Sequence, residues 1–234
     1  MKECVATLID AEWAITAAHC TILISSQNLK KNPYGVKISG IKNSITKVFI
    51  PEKYGKIKPI YNDSEELIGV QGIEDESYDV ALLKLGTTVT HVTPLSLYKK
   101  SDEKGKEIII LGWGDFGKGD SGIISSEPTN DGTFRSAQNR INEVEGNFLI
   151  FDFDSPNSKE ALPFEGVAGP GDSGGPALVK NGNQLEIIGI SSGGGYPDDS
   201  ADNNQNDGRY GWIEYYIRTS KIQNWINSIL SKNG

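Results

Sequence analysis

Gly171-Asp172-Ser173-Gly174-Gly175-Pro176 is the stretch on which the reading of this chain turns. At ordinary residue frequencies a chance match to these six letters is on the order of 10⁻⁷ per position. Glycines at these positions let the backbone bend sharply and turn adjacent N–H groups outward, so the amides of Gly171 and Ser173 can hold a developing oxyanion. Ser173 is then the candidate nucleophile. A second Gly-Asp-Ser-Gly, at Gly119 to Gly122, runs into Ile123-Ile124 within a Gly/Lys/Asp loop and reads as coincidence.

A serine hydroxyl needs a base within hydrogen-bond reach, and the chain has two histidines. His19 sits in Thr16-Ala17-Ala18-His19-Cys20, directly after an apolar strand, with small alanines leaving room for the imidazole. His91 sits in the alternating stretch Val89-Thr90-His91-Val92-Thr93, where a surface histidine is the simpler reading. His19 is the candidate base. That base needs a carboxylate to orient it, and Asp79 opens the apolar run Val80-Ala81-Leu82-Leu83-Lys84-Leu85, an unusual place for a solvated acid. Asp63, Asp75 and the Asp198 to Asp207 group lie in polar loops.

Chain order separates two folds. Gly171-x-Ser173-x-Gly175 also satisfies the nucleophile elbow of α/β-hydrolases, but there the histidine follows the serine, and here none follows His91. The element pattern agrees with an all-β chain. Short β-branched strands are expected at Val5 to Ile9, Trp13 to Thr16, Val36 to Ser39, Lys47 to Ile50, Val80 to Leu85, Ile108 to Leu111, Phe148 to Phe153, Ala177 to Val179, Leu185 to Ile190 and Gly211 to Ile217. One amphipathic helix is expected at the end, where Ile222, Trp225, Ile226, Ile229 and Leu230 form a helical stripe after possible caps Thr219 or Ser220, docking on the last barrel. Gly55 to Ser77 and Pro197 to Arg209 read as surface loops, and His91 to Ser101 as a crossover between two halves.

The 234 residues suffice for a sizeable core. A net charge of −8 and a pI near 4.9 argue against nucleic acid as a partner, and no apolar run approaches membrane-span length. Residues 1–7 carry Glu3 and lack the apolar core of a secretory leader. Two cysteines, Cys4 and Cys20, exclude a multi-cysteine zinc site and leave two readings open: one bridge, or two unrelated buried thiols. Asp202, Asn204 and Asn206 alternate oxygen ligands, but the late Gly208 and lack of flanking helices favour a solvated loop over calcium. No cofactor or metal is expected.

With these motifs in place the sequence resembles the trypsin-like, chymotrypsin-fold serine proteases, of a bacterial type. Thr16 to Cys20 is similar to the family's histidine motif, Asp79 to Leu85 to its aspartate motif and Gly171 to Pro176 to its serine motif. Pro51, Tyr54, Val92, Pro94, Gly112-Trp113-Gly114 and Trp225-Ile226 add matches over nearly the whole chain. The resemblance implies two antiparallel six-stranded-type β-barrels, the first truncated at its N-terminus, with a C-terminal helix. Residues 1–97 would carry His19 and Asp79, residues 98–234 Ser173, with the cleft between them. It also implies a Cys4–Cys20 disulfide, a secreted or periplasmic setting, and a monomer acting on protein or peptide substrates. A non-catalytic homologue that binds or regulates is the alternative.

The resemblance also places a specificity region. Ser192-Gly193-Gly194 would pair with an extended substrate backbone, its glycines leaving the edge and the pocket entrance open. Val167, six before the serine, would lie at the pocket floor and favour an apolar side chain. Glu214 would lie on the opposite wall, where it recruits a basic side chain, partly fills the pocket, or faces water. Active members insert a free apolar amino terminus against the acid before the serine. The chain starts near the family's first cysteine, so Asp172 is expected to be buried without that partner and the oxyanion hole unformed.

Overall fold

Ala81-Leu82-Leu83-Lys84-Leu85 is nearly unbroken apolar sequence, as expected of a strand covered on both faces, and four of its five residues are buried. In the computed structural model it is the centre of the first sheet. Residues 4–22, 24, 29, 34–65, 67–124, 126–127, 129–197 and 206–233 are described; Asp202 and Asn204 of the polar loop lie outside them.

The strands among these residues are β1 (Thr7–Asp10), β2 (Trp13–Thr16), β3 (Gly35–Ile38), β4 (Ile41–Phe49), β5 (Gly55–Tyr61), β6 (Leu67–Ile73), β7 (Ala81–Leu85), β8 (Ser96–Leu97), β9 (Glu107–Gly112), β10 (Arg135–Arg140), β11 (Glu143–Glu145), β12 (Phe148–Asp152), β13 (Pro176–Asn181), β14 (Gln184–Gly195) and β15 (Ile213–Arg218). The first sheet runs β1-β2-β7-β4-β3. The second runs β10-β9-β13-β14-β15-β12-β11, with β8 added parallel to β14. Both follow open pairing paths and curl into half-barrels, in keeping with the expected two-barrel, all-β architecture with a truncated first barrel.

Gly55 to Ser77, expected as a loop, contains the antiparallel β5–β6 hairpin. Its first strand has no buried residue, so it lacks the apolar face that marks a half-buried strand. β10, Arg-Ser-Ala-Gln-Asn-Arg, went unread for the same reason: it is a polar edge strand, a common protection against edge pairing.

The C-terminal helix spans Thr219–Asn233. Ile222 and Ile226 are buried in a cluster that takes Trp13, Ile15, Val80 and Leu82 from the first half, and Leu178, Ile187, Ile190 and Ile217 from the second. The helix therefore packs where the two halves meet, not on the last barrel alone, and Lys84 Nζ reaches the Asn233 carbonyl at 3.2 Å. Full burial of such a side chain contributes about 1.5–3 kcal/mol. The expected caps act otherwise: Thr219 Oγ1 lies within hydrogen-bond distance of the Tyr98, Ile187 and Ile188 carbonyls, and Ser220 donates to Glu103.

Candidate active site

Asp79 follows a short 3-10 turn, Glu76–Tyr78, whose first turn is held by Asp75 accepting from the Ser77 amide. The turn delivers its side chain, in a residue 3% exposed, to the segment after β2. There the His19 amide donates to Asp79 Oδ1 at 2.9 Å, and His19 Nδ1 lies 2.6 Å from Oδ2. Two contacts fix both the histidine backbone and its ring. Burying a carboxylate is costly unless donors face it, and two more do. Ser192 Oγ donates to Oδ2 at 2.7 Å. The Tyr54 hydroxyl, 1% exposed as a residue, also hydrogen-bonds Asp79; its own ionisation is pushed well up, first by burial and then by the Asp79 charge. His91 takes no part; its Nε2 lies 3.3 Å from the Ile38 carbonyl.

Cys4 and Cys20 form a disulfide, and both sulfurs lie within 4.8 Å of a ring nitrogen of His19. The bridge anchors the residues before β1 beside the imidazole. Val5 in turn donates from its amide to the Ser173 carbonyl at 2.8 Å, and Thr16 Oγ1 donates to the Val5 carbonyl at 2.6 Å. Ser173 is thus held against the same segment that carries His19.

The turn around Ser173 explains its glycines. Gly174 has φ +78°, and a β-carbon there would fall 2.2 Å from Thr16 Oγ1 and 2.5 Å from the Val5 carbonyl. Gly171 has φ +106°. Among the described residues neither the Gly171 nor the Ser173 amide donates to a main-chain carbonyl.

Asp172, expected to be buried, is half-buried; it accepts from the Gly114 amide at 2.6 Å and the Gly169 amide at 3.0 Å. It lines an open cavity of about 200 Å³ with Gly112, Arg135, Glu165 and Val167. Arg135 is turned to Asp131 by paired contacts of 2.7 Å and stacks on Phe116, 4.1 Å from the ring centre.

β14 and β15 bring the remaining residues together, with Gly193 opposite Tyr215 and Gly194 opposite Glu214. Glu214 is 2% exposed and accepts from Trp212 Nε1 at 2.9 Å and from the Ala168 backbone. Burial pushes its carboxyl well above the ordinary carboxylate range, against those hydrogen bonds. It does not face water. Sequence reasoning did not find Trp212, nor the roles of Tyr54 and Ser192 at Asp79. A tyrosine and a serine are too common for composition to single out.

Two curled β half-barrels with a closing helix, and an Asp79–His19 pair on a segment tied to a glycine-bent serine turn, have the look of the trypsin-like serine proteases. The comparisons agree: residues 1–226 match the Trypsin family, and the chain belongs to it. It is 31% identical to a snake venom serine protease of Crotalus durissus durissus, over 98% of this chain and 79% of that protein. It is 25% identical to serine protease SP24D of Anopheles gambiae over 81% of this chain, and the match spans 61% of the mosquito protein's length. The fold is that of neuropsin, a serine protease of mouse brain, with a TM-score of 0.63 and 21% identity over 97% of this chain and 88% of that one. These relatives are animal proteins, and nothing in them points to the expected bacterial type.

Proposed function

We propose that the chain is a serine endopeptidase that hydrolyses peptide bonds through an acyl-enzyme on Ser173. The observation that carries this reading is the Asp79–His19 pair, 2.6 Å apart and desolvated at the carboxylate, beside a serine turn hydrogen-bonded to Val5. His19 takes the Ser173 proton through Nε2 as Oγ attacks the carbonyl carbon. Asp79 holds the ring tautomer and stabilises the imidazolium without taking up the proton. The Gly171 and Ser173 amides receive the negative charge on the carbonyl oxygen. His19 then protonates the leaving amine, and water repeats the sequence to release the acid and free Ser173.

The substrate is an extended protein or peptide segment lying along Ser192–Gly194 by strand addition, in the cleft between residues 1–97 and 98–234, met by a monomer. The disulfide and the venom relative support an extracellular setting; among the described residues no helix is long and apolar enough to cross a membrane. The test is reaction with a fluorophosphonate probe and peptide mapping. Modification confined to Ser173, and absent in Ser173→Ala and His19→Ala, is expected. A folded chain that takes no label would overturn the reading in favour of a non-catalytic homologue.

A further inference from the structure

We propose that Trp212 and Glu214 together fill the side-chain pocket beside Ser173, so that the enzyme accepts substrates with a small uncharged residue, glycine or alanine, on the acyl side of the scissile bond. The inference rests on the reading of Ser173 as nucleophile and of β14 as the strand that binds substrate backbone.

Directly paired residues of an antiparallel ladder point to the same face. Gly194 is paired with Glu214, so the space left by the missing side chain at Gly194 lies on the face that Glu214 occupies. Glycine there would ordinarily leave room for a substrate side chain. Instead the indole of Trp212 stands in it: a β-carbon built on Gly194 falls 2.2 Å from Nε1 and 2.7 Å from Cε2. At Gly193 and Gly195 such a carbon meets nothing within 4 Å. The strand's backbone therefore stays open to a peptide main chain while the adjoining side-chain space is taken.

The indole is held on several sides. Its N–H donates to Glu214 Oε1 at 2.9 Å, and its ring meets Tyr196 edge-on at 5.1 Å. The Tyr196 hydroxyl is itself fixed by the Asn206 carbonyl at 2.8 Å. Glu214 also accepts from the Ala168 amide, next to Val167, so wall, floor and entrance are tied through one carboxyl group. With its acceptors occupied and 2% exposure, Glu214 offers little to a substrate lysine or arginine. A large apolar side chain would have to expel the indole and leave a buried carboxyl short of a donor.

The full chain is assayed on peptide nitroanilides that differ only in the residue before the scissile bond: Ala, Val, Phe and Lys. In the wild type, kcat/KM for Ala is expected to exceed that for Phe and Lys by about 100-fold or more. Trp212→Gly is expected to raise the Phe-to-Ala ratio at least about tenfold, and to bind free indole, which the wild type does not. Trp212→Phe loses the indole N–H edge that lies over Gly194 but keeps a ring there, and is expected to relax the Ala preference less than Trp212→Gly. Wild-type preference for Phe or Lys overturns the proposal, whether or not the glycine variant folds. So does a Trp212→Gly protein that binds indole with an unchanged substrate ratio. If Ser173 takes no fluorophosphonate label and no substrate is cut, the peptidase reading fails first and the proposal with it; labelling with the wrong preference sinks the proposal alone.

Discussion

Ser192, on β14 of the second sheet, donates its hydroxyl proton to the same Asp79 oxygen that faces His19 Nδ1, at 2.7 Å and across 113 residues of sequence. One carboxylate oxygen thus joins the two halves. In the peptidase reading the serine helps keep Asp79 aimed at His19, since a hydrogen bond to one oxygen fixes the carboxylate's orientation. Ser192→Ala is expected to lower kcat roughly tenfold, the equivalent of about 1.4 kcal/mol, with little change in KM. Steady-state kinetics with a circular-dichroism check of folding would measure it, and an unchanged kcat would remove Ser192 from this role.

Gly112 lies against Asp172 so closely that a β-carbon would fall 1.7 Å from Oδ1. Gly112→Ala must therefore displace the carboxylate from the Gly114 and Gly169 amides and disturb the turn before Ser173. Labelling of Ser173 is expected to fall by at least about tenfold, with a stability loss of about 1–3 kcal/mol, the range for overpacking. The His19–Asp79 contact lies elsewhere in the fold, and its downfield imidazole proton resonance is expected to persist. Full labelling in a stable variant would contradict this.

Removing the Cys4–Cys20 bridge by double alanine substitution is expected to cost about 3 kcal/mol for a loop of this size. The loss should show in urea unfolding. Because the bridge also anchors Val5 against the Ser173 carbonyl, labelling should slow more than the lowered stability explains. Equal labelling rates under fully native conditions would confine the bridge to stability.

The pair Glu103–Arg218 is 1% and 7% exposed at its side chains and joined by three hydrogen bonds of 2.9–3.1 Å, with Ser220 donating to the same carboxylate at 2.6 Å. Burial pushes Glu103 up, but hydrogen bonds from Arg218 and Ser220 outweigh it and hold the carboxyl below the ordinary value of 4.5. With the folded value below the unfolded one, its contribution is complete above about pH 4.5 and declines as pH falls toward the lowered folded value. Glu103→Gln leaves a buried guanidinium without its counter-charge and is expected to cost about 3–5 kcal/mol at neutral pH. Urea midpoints between pH 3 and 7 would test both, and the variant should lose part of the acid sensitivity. An equally steep acid limb would show that other carboxylates govern it.

In the peptidase reading His19, Asp79 and Ser173 are the positions where chemistry restricts residue type most, and a β-carbon at Gly174 would collide with Thr16 and Val5, so such positions stand out in sequence. β7 was legible because burial on both faces leaves an apolar run. β5 holds no buried residue and β10 is a polar edge strand, so neither carries the apolar run by which β7 is read. Trp212 escaped because its effect depends on register: only the pairing of Gly194 with Glu214 brings an indole two residues away over that glycine.

Val5 and Ser173 lie far apart in sequence yet share a hydrogen bond, and the cluster around Ile222 and Ile226 draws on both halves. During synthesis the first half emerges early, and His19 can meet Asp79 while Ser173 is still untranslated. In the peptidase reading, a ribosome-bound fragment ending before residue 173 carries the proposed base without its proposed nucleophile. A somewhat longer one still lacks β15 and the helix that joins the two halves. On that reading, the order of elements along the chain holds back the assembled site until those late elements have been made.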